Sequence, residues 1–217
     1  MFGSGLALLF LHDPPPRFAM FSSYERLNRR TTPKDLNRAD YLQALVSEFQ
    51  ETNSPGAREQ VLANLANFAY DPINYNHLRD LHIVDLFVDC LEPDEDLNGK
   101  IVQFGLGGLC NLAADRKNRD LILSHRSAVD LVIRCLSSGN EETVISAITT
   151  LLQLVVPRSR DRIVTAPVIA CMQQFEAMKN PRFANLARIF LDDHCTAEEK
   201  RGAASDSSSS LLHIPLP

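Results

Sequence analysis

From Arg38 onward the apolar positions fall at helical spacing, in blocks separated by turn residues. Tyr41, Leu42, Leu45, Val46 and Phe49 mark one face of an amphipathic helix that Asn53-Ser54-Pro55-Gly56 stops. Val61, Leu62, Leu65, Phe68 and Ala69 mark a second, from about Ala57 to Tyr70, which Asp71-Pro72 ends. The blocks that follow repeat an order of short, medium and long. Tyr75 to Leu81, Val84 to Leu91 and about Leu97 to Ala114 form one set; Leu121 to Ser124, Ala128 to Leu136 and Glu141 to Val155 form the next. A fourth set is abbreviated, because Pro157 to Arg162 leaves little room for a short helix before Pro167. Its medium helix runs from about Val168 to Met178 and its last from Arg182 to about His194.

Two of the long blocks carry the same phrase. Asn64-Leu65-Ala66-Asn67-Phe68-Ala69-Tyr70-Asp71 and Gly108-Leu109-Cys110-Asn111-Leu112-Ala113-Ala114-Asp115 each set one asparagine among apolar residues, close with an aspartate, and add a second asparagine, Asn74 or Asn118, three positions later. The copies are offset by 44 residues. A period in the forties with helical apolar spacing is the signature of armadillo and HEAT solenoids. The expectation is an all-α, right-handed solenoid of about three repeats behind an N-terminal helix pair. Its domain spans residues 38–195, flanked by a flexible arm over 1–37 and a disordered, Ser-rich tail over 196–217.

Composition narrows the function classes. A net charge of −5 in 217 residues argues against gripping nucleic acid over a broad surface, which requires many phosphates to be neutralised. Cys90, Cys110, Cys135, Cys171 and Cys195 form no C-x-x-C pair and lack histidines at ligand spacing, so they read as small buried hydrophobes of a reducing compartment. Neither metal nor cofactor is expected. Leu6 to Leu11 is apolar but has no basic segment before it and Pro14-Pro15-Pro16 after it, which argues against a secretory leader. The six histidines are scattered, and Gly105, Gly107 and Gly108 lie inside a helix rather than in a phosphate loop, so catalysis is not expected. Glycine in a helix costs about 1 kcal/mol relative to alanine, and close approach of a neighbour would account for these.

In a solenoid of this kind the long helices line the concave face, where a partner is met. Leu65 with Phe68, and Leu109 with Leu112, already supply the buried stripe around each phrase asparagine. Asn67 and Asn111 could therefore offer their amides to an extended partner chain, or tie neighbouring repeats together. Aligning apolar positions adds Gln153, approximately Arg188, and Tyr70 beside the first copy, giving a candidate partner-binding ladder. Arg116, Lys117 and Arg119, with Arg158, Arg160 and Arg162, follow long helices and would lie toward one edge as a candidate strip for RNA or an acidic partner. The plainer reading of that strip is an ordinary solvated edge.

The phrases resemble armadillo repeats. The stretch from Tyr41 to about Asp193 is similar to a small eukaryotic armadillo family, on Tyr41-Leu42-Gln43-Ala44-Leu45-Val46, Glu59 through Pro72, and Cys135-Leu136-Ser137-Ser138 followed by Asn140-Glu141-Glu142-Thr143-Val144. The resemblance implies a nuclear, non-enzymatic splicing factor of the minor spliceosome. It would partner an RNA-recognition-motif protein, RNA-binding motif protein 48, at the 5′ end of U6atac small nuclear RNA, with no membrane or small-molecule substrate. The arm has no counterpart in that resemblance. Carriers of nuclear-localisation peptides place tryptophan one turn before such asparagines; here those positions are Ala63 and Gly107, and the chain contains no tryptophan.

Overall fold

The computed structural model describes residues 21–30 and 36–206, and its regular elements are all helices. They run α1 (Tyr24–Arg30), α2 (Arg38–Glu51), α3 (Pro55–Phe68), α4 (Tyr75–Asp80), α5 (Ile83–Asp89), α6 (Lys100–Ala113), α7 (Arg116–Ser124), α8 (Ala128–Arg134), α9 (Glu141–Leu154), α10 (Arg160–Ile163), α11 (Ala166–Glu176), α12 (Pro181–His194) and α13 (Ala197–Asp206). Helices α2 and α3 form the expected pair. Three short–medium–long units follow, and even the abbreviated one keeps a four-residue short helix.

The long helices α3, α6, α9 and α12 each contain 14 residues and stack in chain order. Equal lengths follow from similar start signals. Ser54, Asn140 and Asn180 cap three of them through side-chain oxygens that accept from the first turn, and Pro55 and Pro181 sit at N1, where a missing N–H costs nothing. Residues such as Leu65, Leu106, Leu109, Ala147, Leu151 and Phe190, all fully buried, face the medium helices and one another to make one continuous core. In the second unit the packing is tightest at two glycines. A Cβ on Gly105 would lie 2.6 Å from Cys90 Cβ, and one on Gly108 would lie 2.3 Å from the Phe87 ring. Nothing stands within 4 Å of the Cβ position of Gly107, so close approach explains two of the three.

Two expectations are corrected at the flanks. A helix, α1, forms inside the segment read as a flexible arm. Phe21 lies against Tyr70, with ring centroids 5.6 Å apart, and Ser22 donates its backbone N–H to Asp71 Oδ2 at 3.0 Å. The tail read as disordered from residue 196 instead begins with α13, which packs on α11. Its start is a capping box: Glu199 N–H donates to Thr196 Oγ1, and Thr196 N–H donates back to Glu199 Oε2 at 2.8 Å. Arg160 donates to both Glu199 oxygens, Gln173 Nε2 donates to the Lys200 carbonyl, and Ala203 is only 2% exposed. A polar composition hid this helix because its stability comes from docking. Residues 1–20, 31–35 and 207–217, including the apolar Leu6 to Leu11 and the Ser207 to Ser210 run, lie outside the described residues.

Candidate partner-binding surface

The phrase asparagines occupy matched places yet meet different surroundings. Asn67, near the end of α3, is exposed and its side chain makes no hydrogen bond among the described residues. Asn111 on α6 is half-buried and donates Nδ2–H to the Ala66 carbonyl at 3.0 Å, across the boundary between α6 and α3. The Asn111 carbonyl also accepts from the Tyr75 hydroxyl at 3.3 Å. One amide thus faces outward and the other joins two repeats.

The proposed ladder does not continue evenly. Gln153 is half-buried, its Oε1 has no partner, and its carbonyl accepts from Arg119 Nη1 at 3.3 Å. Arg188 is exposed and donates to Asn185 Oδ1 at 2.7 Å, but it is out of register. The caps Asn140 and Asn180 stand 40 residues apart, and the same offset superposes buried Ala147 on Ala187 and Leu151 on Leu191. Gln153 therefore corresponds to Asp193.

Around Asn67 the first repeat forms an open depression of about 440 Å³ lined by Arg38, Tyr41, Asn64, Phe68, Tyr70, Asp71, Asn74 and the arm residue Ser22. Phe68 is its floor. Tyr41 meets that ring edge-on at 5.7 Å, and the Arg38 guanidinium lies over it at 4.9 Å. Tyr70 is 48% exposed. Asn74 is 2% exposed; it donates Nδ2–H to the Phe68 carbonyl at 2.8 Å, while its Oδ1 has no partner. Amides, aromatic rings, a cation and an anion meet in one place, which suits an extended polypeptide.

The basic strip divides in two. Arg158 pairs with Asp120; Arg160 bonds the His194 carbonyl at 3.0 Å as well as Glu199; and Arg162 donates to the Arg126 carbonyl at 2.6 Å with Asp130 3.5 Å away. Arg119 is turned in toward Gln153. Only Arg116 and Lys117 of the six are exposed with no ion pair among the described residues. Arg158 and Arg162 therefore tie adjacent units together, Arg119 and Arg160 join the first and last helices of their own units, and a continuous strip of unpaired cations is not formed among the described residues.

The buried thiols are poor nucleophiles. Burial pushes Cys90, Cys135 and Cys171 up to about 12, and raises Cys110 and Cys195 as well. Among the described residues, no group of three or more His, Cys, Asp or Glu side chains is placed to hold a metal ion, and no helix is long and apolar enough to cross a membrane. Inspection of the sequence overlooked Arg79, which donates Nη1–H to Asp115 Oδ1 at 3.1 Å and to Asn118 Oδ1 at 2.8 Å. The repeated aspartate and second asparagine were the available signal, but no pattern in the sequence names the residue that joins them.

Stacked short–medium–long units behind a helix pair, with a mixed polar and aromatic depression at one end of the long-helix layer, define an armadillo-type helical-repeat scaffold for protein binding. The crystal structure of an engineered protein shares this fold, with a TM-score of 0.59 over 78% of this chain and 71% of that one at 14% identity. No protein-family model matches the chain. It belongs nonetheless to the family of armadillo repeat-containing protein 7: it is 50% identical over 184 residues to that protein of Mus musculus, a match covering 84% of this chain and 91% of the relative.

Proposed function

We propose that the protein is a nuclear, non-enzymatic scaffold subunit of the splicing machinery. It holds an RNA-recognition-motif partner, RNA-binding motif protein 48, at the 5′ end of U6atac small nuclear RNA in the minor spliceosome. The observation that supports this most is the 50% identity to armadillo repeat-containing protein 7 across nearly the whole relative, together with an outward-facing partner surface at Asn67 and Tyr70. On this reading the scaffold binds protein, and RNA is reached through the partner. The pairing of Arg158, Arg160 and Arg162 favours that division of labour over a basic edge of the protein's own.

The test is affinity purification of the full-length protein from nuclear extract with identification of the bound proteins and RNAs. Recovery of the RNA-recognition-motif protein with U6atac RNA, both lost from an Asn67→Ala, Tyr70→Ala double variant, is the expected result. Purification of the intact protein with neither would overturn the reading.

A further inference from the structure

The second copy of the repeated phrase shows what the first copy lacks. Asp115 and Asn118 together hold one guanidinium, that of Arg79, and Asp115 Oδ1 accepts from Arg79 while also accepting the Asn118 backbone N–H at 3.0 Å. Forty-four residues earlier, Asp71 and Asn74 hold the corresponding places with a tighter turn between them: Asp71 Oδ1 accepts the Ile73 N–H at 3.3 Å, the Asn74 N–H donates to the Asp71 carbonyl, and Asn74, like Asn118, is buried. Among the described residues no arginine arrives. Asn74 Oδ1 is unpaired, and Asp71 forms no ion pair among the described residues, receiving only backbone N–H groups from Ile73 and Ser22. The residue 44 positions before Arg79 is Asp35, which has no guanidinium to supply.

We infer that Asp71 and Asn74 form an arginine-binding subsite, filled by an arginine side chain of an extended segment of the partner protein. A carboxylate oxygen has room for a second donor, as Asp115 demonstrates, and Asn74 Oδ1 is a buried acceptor without a donor, the place that Asn118 Oδ1 fills for Arg79. The cavity around them is open, and the exposed Tyr70 supplies a flat surface for the stem. Asn64 and Asn67 line the same cavity and offer amides to the backbone on either side of the arginine. Among the described residues Arg38 is the one cation on the cavity wall, and it is laid over Phe68 rather than paired with Asp71. Lysine is the poorer occupant, since its ammonium is more strongly hydrated and lacks the fork that lets Arg79 join two acceptors. The partner as the source of the arginine rests on the scaffold reading above; the chemistry of the subsite does not.

The probe is N-acetyl-arginine methylamide, titrated into the full-length, isotope-labelled protein while the side-chain amide resonances of Asn67 and Asn74 are followed. Saturable shifts with a dissociation constant on the order of 1 mM are expected. The uncharged analogue N-acetyl-citrulline methylamide should bind about tenfold more weakly or not at all, and Asp71→Asn should cause the same loss, since it removes the charge but keeps a capping side chain. Equal shifts from arginine, citrulline and lysine probes, or undiminished binding to Asp71→Asn, would overturn the subsite. Severalfold tighter binding to an Arg17→Gln variant would assign the cavity to the protein's own arm and overturn the partner as source. Probe binding with no partner recovered from nuclear extract would leave the subsite and remove the scaffold reading; the converse would remove the subsite alone.

Discussion

The two copies of one phrase have opposite fates. In α6, the second copy is closed in on three sides: Asn111 is tied to Ala66, Asp115 to Arg79, and Gly105 and Gly108 admit Cys90 and Phe87 to van der Waals contact. In α3, the first copy has neighbours on fewer sides. Asn67 faces outward, Asp71 receives only backbone N–H groups among the described residues, and Val61 and Asn64 stand where α6 has its glycines. What differs is position in the stack. An interior repeat meets its groups with those of its neighbours, whereas an end repeat presents the same groups to solvent or to another molecule.

The largest effect is expected where the interior copy is most crowded. Gly108→Ala would place a methyl group 2.3 Å from Phe87, and overpacking of this kind should lower stability by about 2–3 kcal/mol in urea unfolding. The neighbouring Gly107→Ala serves as its control. At the first copy, Asn67→Ala with Tyr70→Ala should weaken partner binding by about tenfold or more, roughly 1.4 kcal/mol by calorimetric titration, and leave the melting temperature nearly unchanged. Asn111→Ala should do the reverse. It removes the bond to the Ala66 carbonyl, so about 1 kcal/mol of stability should be lost while binding per folded molecule is retained. Equal stability losses for Asn67→Ala and Asn111→Ala would erase the distinction between the copies.

Acid should act on the far end of the stack, at the docking of α13. The Thr196 backbone N–H, then the Arg160 guanidinium, hold Glu199 down at about 2 against an ordinary 4.5. A depressed carboxylate contributes stability that is present above its unfolded value and is lost as the pH falls through its folded one. Docking of α13 should therefore weaken between about pH 4.5 and pH 2, seen as faster amide exchange in residues 197–206, and Glu199→Gln should remove that pH dependence. Smallest of all, Gly107→Ala should stabilise by about 0.5–1 kcal/mol, because nothing occupies the space its methyl group would take.

Much of this architecture was legible in the chain. The order of short, medium and long helices follows from apolar spacing, and the 44-residue offset pairs Asn67 with Asn111, whose surroundings then differ. Spacing says which face a residue occupies, but not what stands across from it. Whether a side chain such as Asn111 meets solvent or a carbonyl 45 residues away depends on packing between units. At Arg188 the difference is one of register, which the cap Asn180 and the buried Ala187 and Leu191 set together. The error at α13 was one of weighting, since Thr196 and Glu199 carry a capping-box pattern that is plain in the sequence and was outweighed by a polar composition.

The arginine and asparagine ties between and within units bear on how the chain reaches this structure. Arg79 to Asp115, Asn111 to Ala66 and Arg134 to Leu91 join neighbouring units, Arg119 to Gln153 and Arg160 to His194 close the first helix of a unit onto its last, and all link residues 34 to 45 positions apart. Each tie can close as soon as the next unit has left the ribosome, without waiting for a distant segment. Assembly can then proceed as a zipper from the amino terminus, each completed unit serving as the template for the next.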